Sequence, residues 1–263
     1  MIMSESFQAV HERVAAALER DLFFIAGAPH AGTTAVQLAL DAHPEIRCAG
    51  EGHFTDWIGT PLKDLLGAYN AKLEANNAAL YGGAGAYGGF TTGDFRHLLR
   101  TAMGLALARL EVPPGTRRVG EATPAYALRL DVLEALFPTA GVLHVVRDGR
   151  TAVAAALAAV DAVRPDSESW YGLVETVARD WTTAVQKSVV FGASRPDRYH
   201  EVRIEDLTAD PAPHLAAVLR FLGVDDTVPL PVPALPEPPP LDDRATAIVL
   251  RHQEPLLRQF GYL

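Results

Sequence analysis

The segment from Leu22 to Ala42 constrains this chain more than any other. Its apolar run Leu22-Phe23-Phe24-Ile25-Ala26 is too short for a helix and reads as a strand buried on both faces. Gly27-Ala28-Pro29-His30-Ala31-Gly32 follows as a turn punctuated by glycine and proline. Thr33 to Ala42 then carries Val36, Leu38 and Leu40 as the apolar positions of a helix that His43-Pro44 closes. A strand, a G-x-x-x-x-G loop and a helix in this order turn successive backbone N–H groups inward and add the positive end of the helix. The loop therefore predicts a bound phosphate or sulfate. A nucleoside triphosphatase would continue with Lys and then Ser or Thr, the lysine reaching the β and γ phosphates. Here Thr33 and Thr34 occupy those places, which disfavours a kinase or an ATPase.

The rest of the chain keeps the same rhythm. Further strands are predicted at Arg117 to Gly120, Gly141 to Val146 and Tyr199 to Ile204. Helices are predicted from Thr123-Pro124 to about Phe137, with threonine as cap and proline in the first turn, and through the alanine-rich stretch after Arg147-Asp148-Gly149-Arg150. Two more are expected from Asp210-Pro211 to the stop at Gly223 and from about Asp243 to Phe260. Strands alternating with helices predict an α/β fold of the P-loop type, a central, mostly parallel sheet flanked by helices. Ser4 to Arg20 has the apolar spacing of an N-terminal helix. Ala78 to Gly93, with six glycines, reads either as a loop near a ligand or as a plain surface connection, and Pro229 to Pro240, with seven prolines, must be extended. A length of 263 residues predicts one domain over 1–263, with 1–20 as N-terminal helix and 229–263 as a proline-rich crossing and last helix.

Charge and composition exclude several classes. A formal charge of −9 argues against a nucleic-acid partner or an anionic membrane surface, and 49% hydrophobic residues argue against disorder. The single cysteine, Cys48, excludes a disulfide framework and fits a reducing compartment, so a cytoplasmic location is expected. No stretch reads as a secretory signal or a membrane span. None of the nine histidines forms an H-x-x-x-H or H-E-x-x-H pair, so no metal is expected, and no G-x-S-x-G elbow marks a serine hydrolase. The oligomeric state has no signature in the sequence.

The loop resembles that of the PAPS-dependent sulfotransferases, G-x-P-R-S-G-T-T, which binds the 5′-phosphosulfate of 3′-phosphoadenosine-5′-phosphosulfate. The likeness is strongest to tyrosylprotein sulfotransferases and bacterial sulfotransferases. Their D-A-H-P-x-x-R-C-G-E-E is matched without a gap by Asp41-Ala42-His43-Pro44-Glu45-Ile46-Arg47-Cys48-Ala49-Gly50-Glu51. Leu136-Phe137-Pro138 and Val146-Arg147-Asp148-Gly149-Arg150 are similar to their L-F-P and V-R-D-G-R. Val202-Arg203-Ile204-Glu205-Asp206-Leu207, Asp210-Pro211 and Phe221-Leu222-Gly223 are similar to their V-R-Y-E-D-L, D-P and F-L-G.

The resemblance implies a sulfotransferase that moves a sulfuryl group from PAPS to a hydroxyl of a small-molecule acceptor. It implies Glu51 as general base and His30, in place of the family's arginine, assisting the leaving phosphate. It implies Pro29, His30, Ala31, Gly32, Thr33 and Thr34 around the 5′-phosphosulfate, and Arg147 on the 3′-phosphate. The family's serine eight residues after that arginine is Ala155, its arginine twelve after is Ala159, its adenine-contacting tyrosine is Ile204, and the lysine after Gly120-Glu121 is Ala122. These departures fall on the nucleoside end. They open an alternative, a sulfotransferase-fold protein that has lost or altered PAPS use and binds another phosphorylated ligand or partner. Phe54 and Trp57, near Glu51 in sequence, are candidates to line an aromatic acceptor's site.

Overall fold

The structure, a computed structural model, describes residues 5–83, 85, 87–160 and 167–263. Its backbone contacts divide the chain into two compact units. The larger comprises Asp21–Gly52, Val112–Asp131 and Thr139–Leu263, and it holds the sheet. Strands β1 (Leu22–Gly27), β2 (Ile46–Gly50), β3 (Arg118–Ala122), β4 (Gly141–Val146) and β5 (Tyr199–Arg203) lie in the order β2-β3-β1-β4-β5. Every pairing is parallel. All residues of β1 and β4 are buried, which is why their sequences are apolar instead of alternating, apart from His144 in β4, whose Nδ1 meets the Tyr199 hydroxyl at 2.7 Å. Phe23, Ile25, Val36, Leu40, Leu143 and Val145 belong to one core, which the helix Pro211–Leu222 closes with Leu215, Val218, Leu219 and Leu222. A second core joins the helix Gly149–Ala158 to the helices Glu168–Ser194 and Asp243–Gln259 through Val153, Val174, Ala178 and Val249.

Parallel pairing brings all five carboxyl ends to one edge. The strand order reverses at β1, whose neighbours are β3 and β4, and a crevice outside such a reversal is where open α/β sheets take ligands. Gly27 lets the two central strands approach there: a β-carbon at this position would lie 2.6 Å from the Val145 carbonyl oxygen. Gly27→Ala is therefore expected to force β1 and β4 apart and to cost about 1–3 kcal/mol, the usual range for overpacking. A denaturant midpoint equal to that of the unaltered protein would count against that contact.

The strands at Gly141–Val146 and Tyr199–Arg203, the alanine-rich helix and the last two helices fall where the sequence places them. One strand has no counterpart in the sequence reading, and three expectations need correction. Ile46–Gly50 is a strand, because Asp41 takes the Cys48 N–H at 2.7 Å and the Arg47 guanidinium at 2.6 Å and so lays the segment along β3. β3 runs on to Ala122, so Glu121 is a strand residue. The helix expected from Thr123 is a 3-10 turn, Pro124–Leu128, followed by a short helix, Leu130–Leu136. Thr123 does not cap it, since its hydroxyl donates to Glu121 Oε1 at 2.9 Å. The glycine-rich segment is still helical as far as Tyr81, and its Ala84 and Ala86 lie outside the described residues, as do residues 1–4 of the N-terminal segment. Pro229–Pro240 is extended, as the prolines require.

The smaller unit takes in the chain up to Arg20, His53–Glu111 and Val132–Pro138. The helix Phe7–Leu18, capped by Ser6, buries Val14 and Ala17 and packs on the helix Thr92–Leu107, which buries Leu99, Met103 and Leu107. Thr91 and Asp94 form a capping box at the start of the latter. Between them, Phe54–Gly59 is a single π-helical turn leading into the helix Thr60–Tyr81. Leu66 is the only residue of that long helix to be buried, and Asn70 on it grips the Phe90 backbone with bonds of 2.8 and 2.7 Å.

Candidate active site at the carboxyl edge of the sheet

Gly32 begins the helix Thr33–Asp41 with φ 97°, and its carbonyl accepts from Ala35 and Val36. No residue with a β-carbon fits easily: φ is left-handed, and a β-carbon would meet Ile204 Cγ1 at 2.8 Å. Inside the loop, Ala31 N–H donates to the Ala28 carbonyl at 3.1 Å and Ala31 is fully buried. Thr33, at the triphosphatase lysine's position, is buried, while Pro29, His30 and Thr34 face solvent. His30 stands at φ 62°, a conformation uncommon for a residue with a side chain.

Arg147 follows β4 and turns back onto the loop. It is buried, and its Nη1 donates to the His30 carbonyl at 3.1 Å and its Nη2 to the Pro236 carbonyl at 3.4 Å. Its own carbonyl accepts from Trp181 Nε1 at 3.3 Å, which gives that buried tryptophan a positioning task no sequence pattern announces. The neighbouring carboxylate does not neutralise it. Asp148 caps the next helix through Arg150 N–H and pairs with the Arg150 guanidinium at 2.6 Å, and its own N–H donates to Glu205 Oε1 at 2.8 Å. Partial desolvation of the His30 ring, and then the Arg147 charge, hold that imidazole below the usual histidine range, so it is neutral at pH 7 before a ligand arrives.

Glu51 lies just past β2, exposed, at φ 58°. Its N–H donates to the Ala122 carbonyl at 2.7 Å, and the next N–H, of Gly52, donates to Glu121 Oε1, also at 2.7 Å. These two bonds tie the end of β2 to the end of β3 and fix the backbone that carries Glu51. Strain at a single polar residue, held by its neighbours, is common where a side chain has to be aimed. Glu121 itself is buried, and burial pushes its carboxyl above the usual range. Hydrogen bonds from Tyr126, Gly52 and Thr123 pull the other way, and the Glu51 charge adds to the rise. The sequence presented Glu121 only as the residue before a missing lysine; its role in anchoring the loop needs the register of β2 on β3.

A cavity of about 580 Å³ opens beside Arg147, lined also by Thr151, Glu205, Thr208 and the segment Val232–Glu237. The helix Gly149–Ala158 contributes Thr151 to it; Ala155 stands one turn further on and is half-buried. Ile204, at the family's tyrosine position, is 1% exposed and packs on the loop glycine. In the smaller unit, Phe54 is buried, whereas Trp57 is exposed and stacks on His53 with ring centroids 3.9 Å apart. His53 Nδ1–H donates to Asp56 Oδ2 at 2.8 Å. Among the described residues, no group of three or more His, Cys, Asp or Glu side chains could hold a metal ion, and no helix is long and apolar enough to cross a membrane.

Comparison with known proteins agrees with this geometry. The sulfotransferase family matches residues 23–228. Protein-tyrosine sulfotransferase 1 of Danio rerio is 25% identical over 205 residues, covering 77% of this chain and 53% of its own length. The human protein of the same name is 33% identical over 140 residues, covering 50% of this chain and 32% of its own. The chain spans about half the length of the first of these relatives. Among solved structures, a sulfotransferase from Alicyclobacillus acidocaldarius superposes with a TM-score of 0.57 at 18% identity, over 92% of this chain and 96% of that one. The sulfotransferase domain of a Synechococcus olefin synthase gives 0.51 at 23%, over 78% and 74%. At these identities the structural likeness speaks to the fold.

Proposed function

The chain belongs to the sulfotransferase family, and on that premise we propose that it transfers a sulfuryl group from PAPS to a hydroxyl of a small-molecule acceptor, acting as one sulfotransferase-like domain. The observation that carries the reading is the Arg147 guanidinium bonded to the loop's own His30 carbonyl. It puts a permanent cation against a phosphate-binding loop that lacks the triphosphatase lysine. In this reading the backbone from Pro29 to Thr34, with the Thr33 and Thr34 hydroxyls, cradles the 5′-phosphosulfate. Arg147 takes the 3′-phosphate, with Ala155 beside it in place of the family's serine. The acceptor oxygen attacks sulfur, the bond from sulfur to the bridging phosphate oxygen breaks, and Glu51 takes the acceptor's proton as the bisphosphate leaves with the electron pair. Calorimetric titration with 3′-phosphoadenosine-5′-phosphate and with ATP, each with and without Mg²⁺, tests the donor. Tight binding of ATP that needs Mg²⁺ would overturn it. Transfer of radiolabelled sulfate to a panel of phenols, sugar alcohols and tyrosine peptides tests the acceptor class.

His30 gives a pH signature. It is held below the usual histidine range in the free protein, and an anion bound at the loop raises it, so binding takes up a proton between the two values. Affinity for the bisphosphate is therefore expected to fall as pH rises through the interval that begins below the usual histidine range, at the free value, and ends at the bound one, with a limit of about tenfold per unit for one linked proton. His30→Arg, permanently charged, is expected to flatten that limb. Identical profiles for the two proteins would show that the His30 charge plays no part.

A second reading, a protein of this fold that no longer uses PAPS, is favoured by one observation. Two carboxylates, Glu205 and Glu237, line the cavity against the single guanidinium of Arg147.

A further inference from the structure

The extended segment Val232–Glu237 lies across the nucleotide side of the loop. Leu235 packs against the core and reaches within 3.3 Å of where a Gly32 β-carbon would stand, Pro236 offers its carbonyl to Arg147, and Glu237 brings a carboxylate to the cavity that Arg147 lines. Both donor arms of Arg147 that a 3′-phosphate would use are thus turned to main-chain carbonyls, one of them on this strap. At 3.4 Å the bond to Pro236 is the longer and weaker of the two, the one an incoming dianion displaces first. Glu205 cannot move away in compensation, because the Asp148 N–H and the Tyr262 hydroxyl hold both its oxygens at 2.8 Å. The adjustable groups are on the strap.

We propose that Pro236 and Glu237 make this strap the element that sets selectivity for the 3′-phosphate. In the free protein the strap occupies Arg147 from within, and a 3′-phosphorylated nucleotide binds only by lifting it. This rests on the donor reading above and adds to it. The prolines matter physically: Pro236 has no N–H to donate to the incoming 3′-phosphate, and the stiff segment on either side makes Val232–Glu237 move as a piece.

The test compares 3′-phosphoadenosine-5′-phosphate with adenosine 5′-phosphate, which differs only at the 3′ position. Glu237→Gln is expected to tighten the bisphosphate roughly three- to tenfold, the effect of removing one like charge from the rim of an anion site, and to leave the monophosphate unchanged. Leu235→Ala, which loosens the strap without touching charge, is expected to shift the same ratio in the same direction. Hydrogen exchange at the amides of Val232, Ala234, Leu235 and Glu237 should speed up on saturation with the bisphosphate and not with the monophosphate. Bisphosphate binding with an unchanged ratio in both variants, or with slower exchange in the strap, overturns this inference and leaves the donor assignment standing. Failure of the unaltered protein and both variants alike to bind the bisphosphate overturns both.

Discussion

Glu51→Gln is expected to lower turnover roughly 10²–10⁴-fold while the affinity for 3′-phosphoadenosine-5′-phosphate stays within twofold or so, the range for loss of a positioned general base. Glutamine has the same shape, and the bonds that fix this stretch run from the Glu51 and Gly52 backbones to Ala122 and Glu121, so the backbone is untouched by the change. What is lost is the ability to accept a proton. Glu51→Gly supplies the control: it relieves a side-chain residue from φ 58° and is expected to leave the fold at least as stable, yet to be as inactive as the glutamine variant. A single-turnover rate unchanged in Glu51→Gln would remove this carboxylate from the mechanism.

Arg147→Ala is the second large effect. Charged hydrogen bonds of this kind are worth about 1.5–3 kcal/mol each, so losing the guanidinium is expected to weaken the bisphosphate by roughly 10²-fold. The His30 and Pro236 carbonyls lose their donor at the same time. Arg147→Lys should recover little, because one ammonium on a flexible stem cannot span two carbonyls that a planar fork reaches together. Adenosine 5′-phosphate should lose less than the bisphosphate in both variants. Equal losses for the two nucleotides would move Arg147 from the 3′-phosphate to the shared part of the ligand.

What the sequence disclosed and what it withheld divide along physical lines. The loop was legible because Gly27 and Gly32 stand where a side chain does not fit, the one by a 2.6 Å approach to Val145 and the other by a φ of 97°, and a glycine shows in the sequence before its neighbours are known. β4 was legible because burial on both faces leaves a run that is apolar but for His144. β2 was hidden: it is an edge strand that carries Arg47 and is held in place by Asp41 from the preceding helix. The helix Thr60–Tyr81 was hidden because burying Leu66 alone leaves no apolar stripe to count. At the site, Arg147 and Glu51 stood out by motif. Glu121 did not, because its burial and its bond to Gly52 exist only once β2 lies on β3. The strap left no trace beyond its prolines, since the group it presents to Arg147 is a carbonyl and every residue has one.

Cys48, the one cysteine of the sequence, sits fully buried in β2, where burial and then the Asp41 charge push its thiol well above the ordinary range. Thiol reagents attack the thiolate, so this side chain is protected twice, by access and by protonation. For spectroscopy the protein is in effect already cysteine-free. A cysteine introduced at Ala234, which is exposed on the strap, would take a fluorophore or spin label alone, with the native thiol left in place. Movement of that one segment could then be followed in real time in a protein whose core has not been altered to make the measurement.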